Sequence, residues 1–310
     1  MLIVSPNKNF RLYYNQTIHP ELLRLERQRR RLLRLVFLSG TLLLGSAAIL
    51  LRLEVLLLAL LVSILLGVHI SYVGLRIRKF VRTFKPKVVG LILDYIDDSL
   101  NFGELSYHAD RTVPLDRFLH SGIHPHNPAV YHGEDYISGR IGDVTFELCE
   151  LQVKEFSPVR ERLNLVFRGV FIHARIFHPV KGSVLVLPKR SLPDRSDSVK
   201  AYVRKGGRNL DNAIRHEEFR SVFTTYGLPE TRLHEALPSE LMDFMTAAFH
   251  QRGNVFFAID GHHVYVAVSN DKDTLEPSWL SSNVSFELVR EFFQDIETAL
   301  FVVKAIDRSH

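Results

Sequence analysis

Two charge-free apolar runs near the N-terminus constrain this chain more than any other feature. Leu35 to Leu51 spans 17 residues and Val55 to Leu75 spans 21, with His69 the most polar member. At 1.5 Å rise per residue they reach roughly 26 and 32 Å, against about 30 Å for a bilayer's hydrocarbon core. A soluble helix of such length ordinarily keeps a polar face, so the pair reads as a transmembrane helical hairpin. Arg52-Leu53-Glu54 is enough for a tight turn at the far interface, where Arg52 can snorkel. The 34 residues before the first run are too many for the short charged leader of a secretory signal. A permanent anchor is therefore expected.

Charge divides along the chain. Residues 1–87 carry 15 Lys/Arg against 3 Asp/Glu, a balance of +12, and the remainder carries 24 against 31, a balance of −7. The sequence pI of 9.3 is thus a property of the N-terminal third. Arg24, Arg27, Arg29, Arg30, Arg31 and Arg34 precede the first run, and Arg76, Arg78, Lys79, Arg82, Lys85 and Lys87 follow the second. Positive flanks stay on the cytoplasmic side, so a multi-pass protein with both termini cytoplasmic is expected. The same flanks favour anionic membrane lipid as a partner. The acidic remainder, without identifiable aromatic pairs for stacking, speaks against nucleic acid. One cysteine, Cys149, excludes an intramolecular disulfide framework and a Cys-based structural zinc site. Ser63, Gly67 and Ser71 recur every four residues, and small residues let helices approach closely in lipid. Helix packing within the hairpin is their expected use, with a homo-oligomer through the hairpin as the alternative.

The remaining patterning gives an α+β fold: the N-terminal two-helix transmembrane hairpin, then a cytoplasmic mixed domain of short antiparallel strands and helices. Residues 1–34 form a basic segment, helical from about Pro20, and 35–75 form the hairpin (35–51 and 55–75). Residues 76–127 form a basic juxtamembrane and amphipathic connector, and 128–310 the α+β domain. Pro86 is expected to end or kink its helix. Val88, Val89, Leu91, Ile92, Tyr95, Ile96 and Leu100 follow a 3.6-residue period, on lipid or on protein. Gly133, Gly139 and Gly142 punctuate short segments. Val144, Phe146 and Leu148 alternate as in a half-buried strand, and Leu163 to Phe177 is a longer strand with Gly169 as a bend or bulge. Ser191 to Asn212 reads as a solvated loop around a short strand, Lys200 to Val203. Ser239 and Ser285 are candidate helix caps, and Gly253 suits a helix end. Asp260-Gly261 signals a hairpin.

Tyr131-His132-Gly133-Glu134-Asp135-Tyr136-Ile137-Ser138-Gly139-Arg140-Ile141-Gly142 resembles the leading motif of the bacterial DUF3137 family, a domain of unknown function. Phe146-Glu147-Leu148, Val166 to Phe171, Glu218-Phe219, Phe223 to Tyr226 and Leu237-Pro238 continue the likeness, which spans about 85–270. The resemblance implies two N-terminal membrane helices, hence the bacterial inner membrane. It implies no reaction, catalytic residue or cofactor. It further implies a membrane protein partner of the LemA kind.

The residues themselves offer one constellation for chemistry. His124-Pro125-His126 sets two imidazoles two residues apart on an extended segment, and His132 or Glu134 could complete a zinc site with an open position. A metal-dependent hydrolase with Glu134 as base is the alternative function. Otherwise Glu134 and Asp135 organise a turn between Gly133 and Gly139. Glu147 and Glu150 beside Cys149 disfavour a thiolate. Gly206-Gly207-Arg208 lies in a basic stretch, and His262-His263 is expected at the surface. The favoured reading is a membrane-anchored binding or scaffold subunit. Its binding surface would be built from Tyr131, Gly133, Glu134, Asp135, Tyr136, Gly139 and Gly142.

Overall fold

The computed structural model describes residues 8–52, 56–100, 103–157, 161–270 and 281–307. The expected turn at Leu53-Glu54 lies outside them. The chain divides into two units, Met1–Tyr95 with Thr274–Phe292, and Ile96–Asp273 with Phe293–His310.

The first unit is helical. Helix α1 (Lys8–Tyr13) passes through a π-helical turn (Tyr14–Ile18) into α2 (His19–Arg52), and α3 (Leu56–Leu100) returns. Phe10, Tyr14, Ile18, Leu22 and Leu25 are buried, as are Val73, Phe80, Phe84, Val88, Val89, Ile92 and Leu93 on α3. Tyr13 donates its hydroxyl to the Leu91 carbonyl at 3.1 Å, and the Phe10 and Tyr95 rings lie 5.2 Å apart. From Val88 to Tyr95 the stripe after Pro86 is therefore largely buried, with Leu91 and Tyr95 against the chain's own N-terminal helix. That packing also explains why α3 continues through Pro86, where an end or kink was expected. Each fully buried large side chain is worth roughly 1.5–3 kcal/mol, and several flank a defect costing about 3 kcal/mol.

Farther along both helices the environment changes. Phe37, Leu38, Leu42, Leu44 and Ile49 on α2 are exposed, as are Leu60, Leu61, Ile64, Leu65 and Val68 on α3. Ser63, Gly67 and Ser71 are exposed too, and a side chain added at Gly67 would meet nothing within 4 Å. Close packing within the hairpin does not use that stripe; Ser39 and Val73 are among the residues turned inward.

The second unit is built on a nine-stranded antiparallel sheet in the order β1-β2-β3-β4-β9-β8-β5-β7-β6. The strands are β1 (Gly103–His108), β2 (Val130–Ile141), β3 (Val144–Ser157), β4 (Arg162–Arg175), β5 (Ser183–Pro188), β6 (Arg208–Asn209), β7 (Phe223–Gly227), β8 (Val255–Asp260) and β9 (His263–Ser269). The short helices α4 (Leu115–His120), α5 (Ser196–Arg204), α6 (Glu217–Val222) and α7 (Leu233–Ala236) precede α8 (Ser239–Arg252), and α9 (Phe286–Asp307) closes the chain. Cys149, Leu151, Val153, Phe167, Phe171, Tyr265 and Phe256 form a core on one face, with Phe118 of α4 among them. Helix α8 packs on β8 and α6. Covered on both faces, β5 is buried at every position, which is why it reads as a continuous apolar run.

Several local expectations are corrected. Residues 200–203 belong to helix α5, not to a strand. The segment Gly133 to Gly142 is no series of short pieces: β2 runs through Gly133 and Gly139. Its register breaks between Glu134 and Ile137, where Asp135 takes a positive φ of 57°, so Glu134 and Asp135 form a bulge rather than a turn. Helix α8 starts after Pro238 without a side-chain cap, whereas Ser285 accepts from Leu288 N–H at 3.4 Å. The Asp260-Gly261 hairpin joins β8 to β9 as expected.

Gly169, expected as a bend, marks where β9 joins β4. With φ of +145°, a Cβ there would lie 2.1 Å from the Val268 carbonyl oxygen. Gly169→Ala should destabilise by about 2–3 kcal/mol. Gly261→Ala, with open space around it, should cost only about 1 kcal/mol for its positive φ. Denaturant melts of the two variants compare them directly, and equal losses would contradict this assignment.

Candidate functional site

A polar network sits at the end of the sheet nearest the β2–β3 turn. Cross-strand register makes it: Glu147 of β3 stands opposite His173 of β4, which stands opposite Tyr265 of β9. His173 is 2% exposed. Its Nδ1 lies 2.9 Å from Glu147 Oε1 and its Nε2 lies 2.9 Å from His263 Nδ1. Tyr136 of β2 donates to Glu147 Oε2 at 2.9 Å. Arg117 of α4 brings its Nη1 to 3.0 Å from Glu147 Oε1 and 2.8 Å from His173 Nδ1. A carboxylate only accepts and a guanidinium only donates. Arg117 therefore donates to Glu147 Oε1, while His173 Nδ1 can serve Glu147 as donor or Arg117 as acceptor but not both, and its tautomer sets which of His173 Nε2 and His263 Nδ1 donates to the other. The His173 ring also stacks on Tyr265, 5.1 Å between centroids.

Burial alone would raise the Glu147 pKa. Hydrogen bonds from His173 and Tyr136, with the charge of Arg117, outweigh it and hold the carboxyl below its ordinary value. Burial, with Glu147 beside it, raises Tyr136. His263 is lowered by burial and by the nearby His173 and arginines. The chain Glu147–His173–His263 can thus orient imidazoles and pass a proton along them. Among the described residues no serine, threonine or cysteine hydroxyl or thiol is hydrogen-bonded to either histidine, so the chain lacks an attached nucleophile. Cys149 is buried in the core, and burial pushes its thiol to about 11, which leaves it unreactive.

Within the Tyr131–Gly142 segment, Asp135, Tyr136, Ile137 and Ile141 are buried. Tyr131 donates to the Val113 carbonyl at 2.7 Å. Asp135 is buried and accepts from Tyr107 at 2.5 Å. A Cβ on Gly133 would strike Thr112 Oγ1 at 2.1 Å, and one on Gly139 would strike Leu105 Cδ2 at 2.6 Å. Gly142 makes the β2–β3 turn with φ of +54°. His132 and Glu134 instead line a shallow groove with Glu150, Leu151, Gln152 and Arg168. Carboxylate oxygens of Glu134, Asp135 and Glu150 lie within 4.8 Å of one another. Oxygen donors suit a hard cation, but an acidic cluster alone assigns none.

The histidines proposed for zinc divide. His124 and His126 remain together, 5.9 Å between ring centroids, while His132 belongs to the groove. His124 approaches Glu155 at 3.9 Å and His126 approaches Asp197 at 3.5 Å. Burial, reinforced by Arg195 and His126, pushes His124 down to about 4. His263, expected at the surface, is half-buried. Sequence reasoning missed the Glu147–His173 pair. Its one local signal was a histidine inside the apolar run Phe171-Ile172-His173-Ala174.

Residues 165–308 match the model of the DUF3137 family, described as a protein of unknown function. The match begins in β4 and extends into α9, so the 131–142 motif falls outside it. No curated protein matches the chain. Among solved structures, the crystal structure of the mycobacterial trehalose monomycolate transport factor A, TtfA, is 11% identical, with 63% of this chain and 88% of that chain covered and a TM-score of 0.28.

The depressed Glu147 pKa has a definite sign in stability. The folded state binds this proton less readily than the unfolded state. The stabilisation is complete above the ordinary carboxyl value of 4.5 and is lost as pH falls through the lower folded value. Glu147→Gln should cost about 2 kcal/mol at pH 7 and flatten the acid limb of the stability profile. An acid limb identical to that of the parent protein would exclude this role.

Proposed function

We propose that this chain is an integral protein of the bacterial inner membrane, anchored by its helical hairpin, with both termini cytoplasmic. Its sheet domain acts as a binding or scaffold subunit of a membrane complex. The observation that supports anchoring is the exposure of the apolar helices. Only 6% of the most apolar 18-residue window in each is buried, whereas a soluble core helix would be mostly buried. Basic residues flank the band at both cytoplasmic ends and leave Arg52 alone at the far side.

Binding rather than catalysis is favoured because, among the described residues, no nucleophile is hydrogen-bonded to the histidine pair, and because His132 stands apart from His124 and His126. Of the residues expected to form the binding surface, Glu134 lines the groove, and His132, considered from sequence only as a metal ligand, joins it. They open onto the groove with Glu150, Gln152 and Arg168. Membrane lipid and a membrane protein of the LemA kind are the proposed partners.

The protein should remain in the membrane after alkaline carbonate extraction. Alkaline phosphatase fused after Arg52 should be active, and the same reporter at the C-terminus inactive. Leu42→Arg or Leu65→Arg should weaken insertion by about 2.5–3.5 kcal/mol each, read as protein lost from the membrane fraction. Release of the parent protein by carbonate would refute the anchor. Affinity purification from native membranes should yield a stoichiometric membrane partner that Arg168→Glu releases. Recovery of the protein alone would count against the scaffold role.

A further inference from the structure

We propose that Glu147, His173, His263 and Arg117 form a proton-operated switch: a proton taken up by the two histidines moves Arg117 off His173 and leaves it on Glu147. The switch follows from one crowded atom. His173 Nδ1 has Glu147 Oε1 at 2.9 Å and Arg117 Nη1 at 2.8 Å, and those two are 3.0 Å apart. A ring nitrogen either carries a hydrogen or offers a lone pair. One of the two contacts at Nδ1 is therefore always unmet.

The neutral pair has two arrangements. In the first, Nδ1 accepts from Arg117, and His173 Nε2–H donates to His263 Nδ1, 2.9 Å away. In the second, Nδ1 donates to Glu147, Nε2 accepts from His263 Nδ1–H, and Arg117 meets a donor it cannot bond. An added proton leaves only the second. If it resides on His263, that imidazolium has no acceptor, so His173 Nε2 must accept and Nδ1 must carry hydrogen. If it resides on His173, Nδ1 carries hydrogen directly. Either way Arg117 loses its acceptor on the ring, and Glu147 keeps a donor there. The new positive charge faces the Glu147 carboxylate, whose other oxygen is held by Tyr136 at 2.9 Å.

The proton enters from one side. His173 is 2% exposed, whereas His263 is half-buried, so solvent reaches the pair through His263 and the two rings titrate together. Charged and titratable groups surround them on every neighbouring element. Glu147 of β3 and Tyr136 of β2 stand on the inner side. From α4 come Arg117 and Asp116, the latter acting on Tyr265 of β9, which stacks on His173. Arg175 of β4 and Asp260 of β8 stand directly opposite His263, and His262 precedes it. Burial, with the charges of His173, Arg117, Arg175 and His262, lowers His263, so uptake falls below the ordinary value of 6.5. Arg117 has room to respond. Its side chain is 40% exposed, and once displaced from His173 it can turn outward on α4. The surface that α4 presents therefore depends on pH.

The test uses full-length protein in detergent with isotopically labelled histidine, followed by the NMR shifts of the ring nitrogens. It is titrated from about pH 8 to about pH 5, the span over which imidazole changes charge. His173 Nδ1 should move from a shift averaged over lone-pair and protonated forms to a fully protonated one, with the midpoint of His263. The Arg117 guanidinium hydrogens should exchange faster with water over the same step. Arg117→Met changes a half-exposed side chain and should preserve the fold. Glu147 is then the sole partner of Nδ1, which should be protonated at every pH. A merely structural arginine would not move that signal. The proposal is overturned if Nδ1 of the parent protein is fully protonated throughout, or keeps its averaged shift while His263 titrates. It is equally overturned if neither ring takes up a proton, or if Arg117→Met leaves the Nδ1 signal unchanged.

Discussion

The pairing of β3 with β4 decides where the polar groups of the sheet domain stand. It runs from Thr145 opposite Arg175 to Ser157 opposite Arg162. That register sets Glu147 against His173 and Gln152 against Arg168, with Cys149 and Phe171 sealed between them. Because side chains alternate faces, a slip of one residue would turn Glu150 and Gln152 into the core and expel Cys149, Leu151 and Val153. The apolar residues of β3 therefore choose the register, and the polar pairs inherit it. One irregularity is admitted, between Val153 and Lys154, beyond the core stretch and before Glu155 reaches the His124 loop.

The buried residues also change phase along β3. Phe146 and Leu148 are buried on one parity, and Cys149, Leu151 and Val153 on the other. Each face thus carries core at one end and polar groups at the other. Glu147 occupies the end where its own face has lost apolar cover, and the groove of Glu150 and Gln152 occupies the reverse position. A buried carboxylate beside an imidazole and a guanidinium contributes little net stability once desolvation is counted. Its effect is selective: any other register would leave Glu147 buried without His173, at a cost of several kcal/mol.

Legibility from sequence followed the range of the interaction. The two apolar runs, the Asp260-Gly261 hairpin and the Ser285 cap are local, and the local pattern sufficed. The glycines of 131–142 look like turn punctuation because a sequence shows only that Cβ is absent. The structure supplies the reason at two of them: Thr112 crosses over Gly133 and Leu105 over Gly139. Pro86 reads as a stop because its cost is local, while the compensating burial of Phe84, Val88 and Ile92 is not. The pair His124 and His126 was visible from spacing alone. Glu155 and Asp197 were not, since their approach depends on β3 register and on α5 forming where a strand was expected.

The first unit shows how one helix can serve two solvents. Along α2 the buried Glu26 is clasped by Arg29 through Nε at 2.9 Å and Nη2 at 2.7 Å, with Arg30 at 2.9 Å. Two of the arginines that counting assigns to topology thus also neutralise an interior carboxylate. Arg24, Arg27, Arg31 and Arg34 stay exposed or half-exposed, so the positive excess survives. A few turns later Phe37 and Leu38 are exposed. On α3 the corresponding change falls between exposed Val68 and buried Phe80. Because the helices run antiparallel, with Tyr13 bonded to Leu91 and Glu21 paired with Lys87, these transitions lie at matching heights. Protein-packed side chains stop where apolar side chains begin to face outward, and the arginines are concentrated around that level. On the proposed anchoring, this is the height of the cytoplasmic membrane surface. Charge, burial and hairpin register then define a single plane, though each is set by different residues.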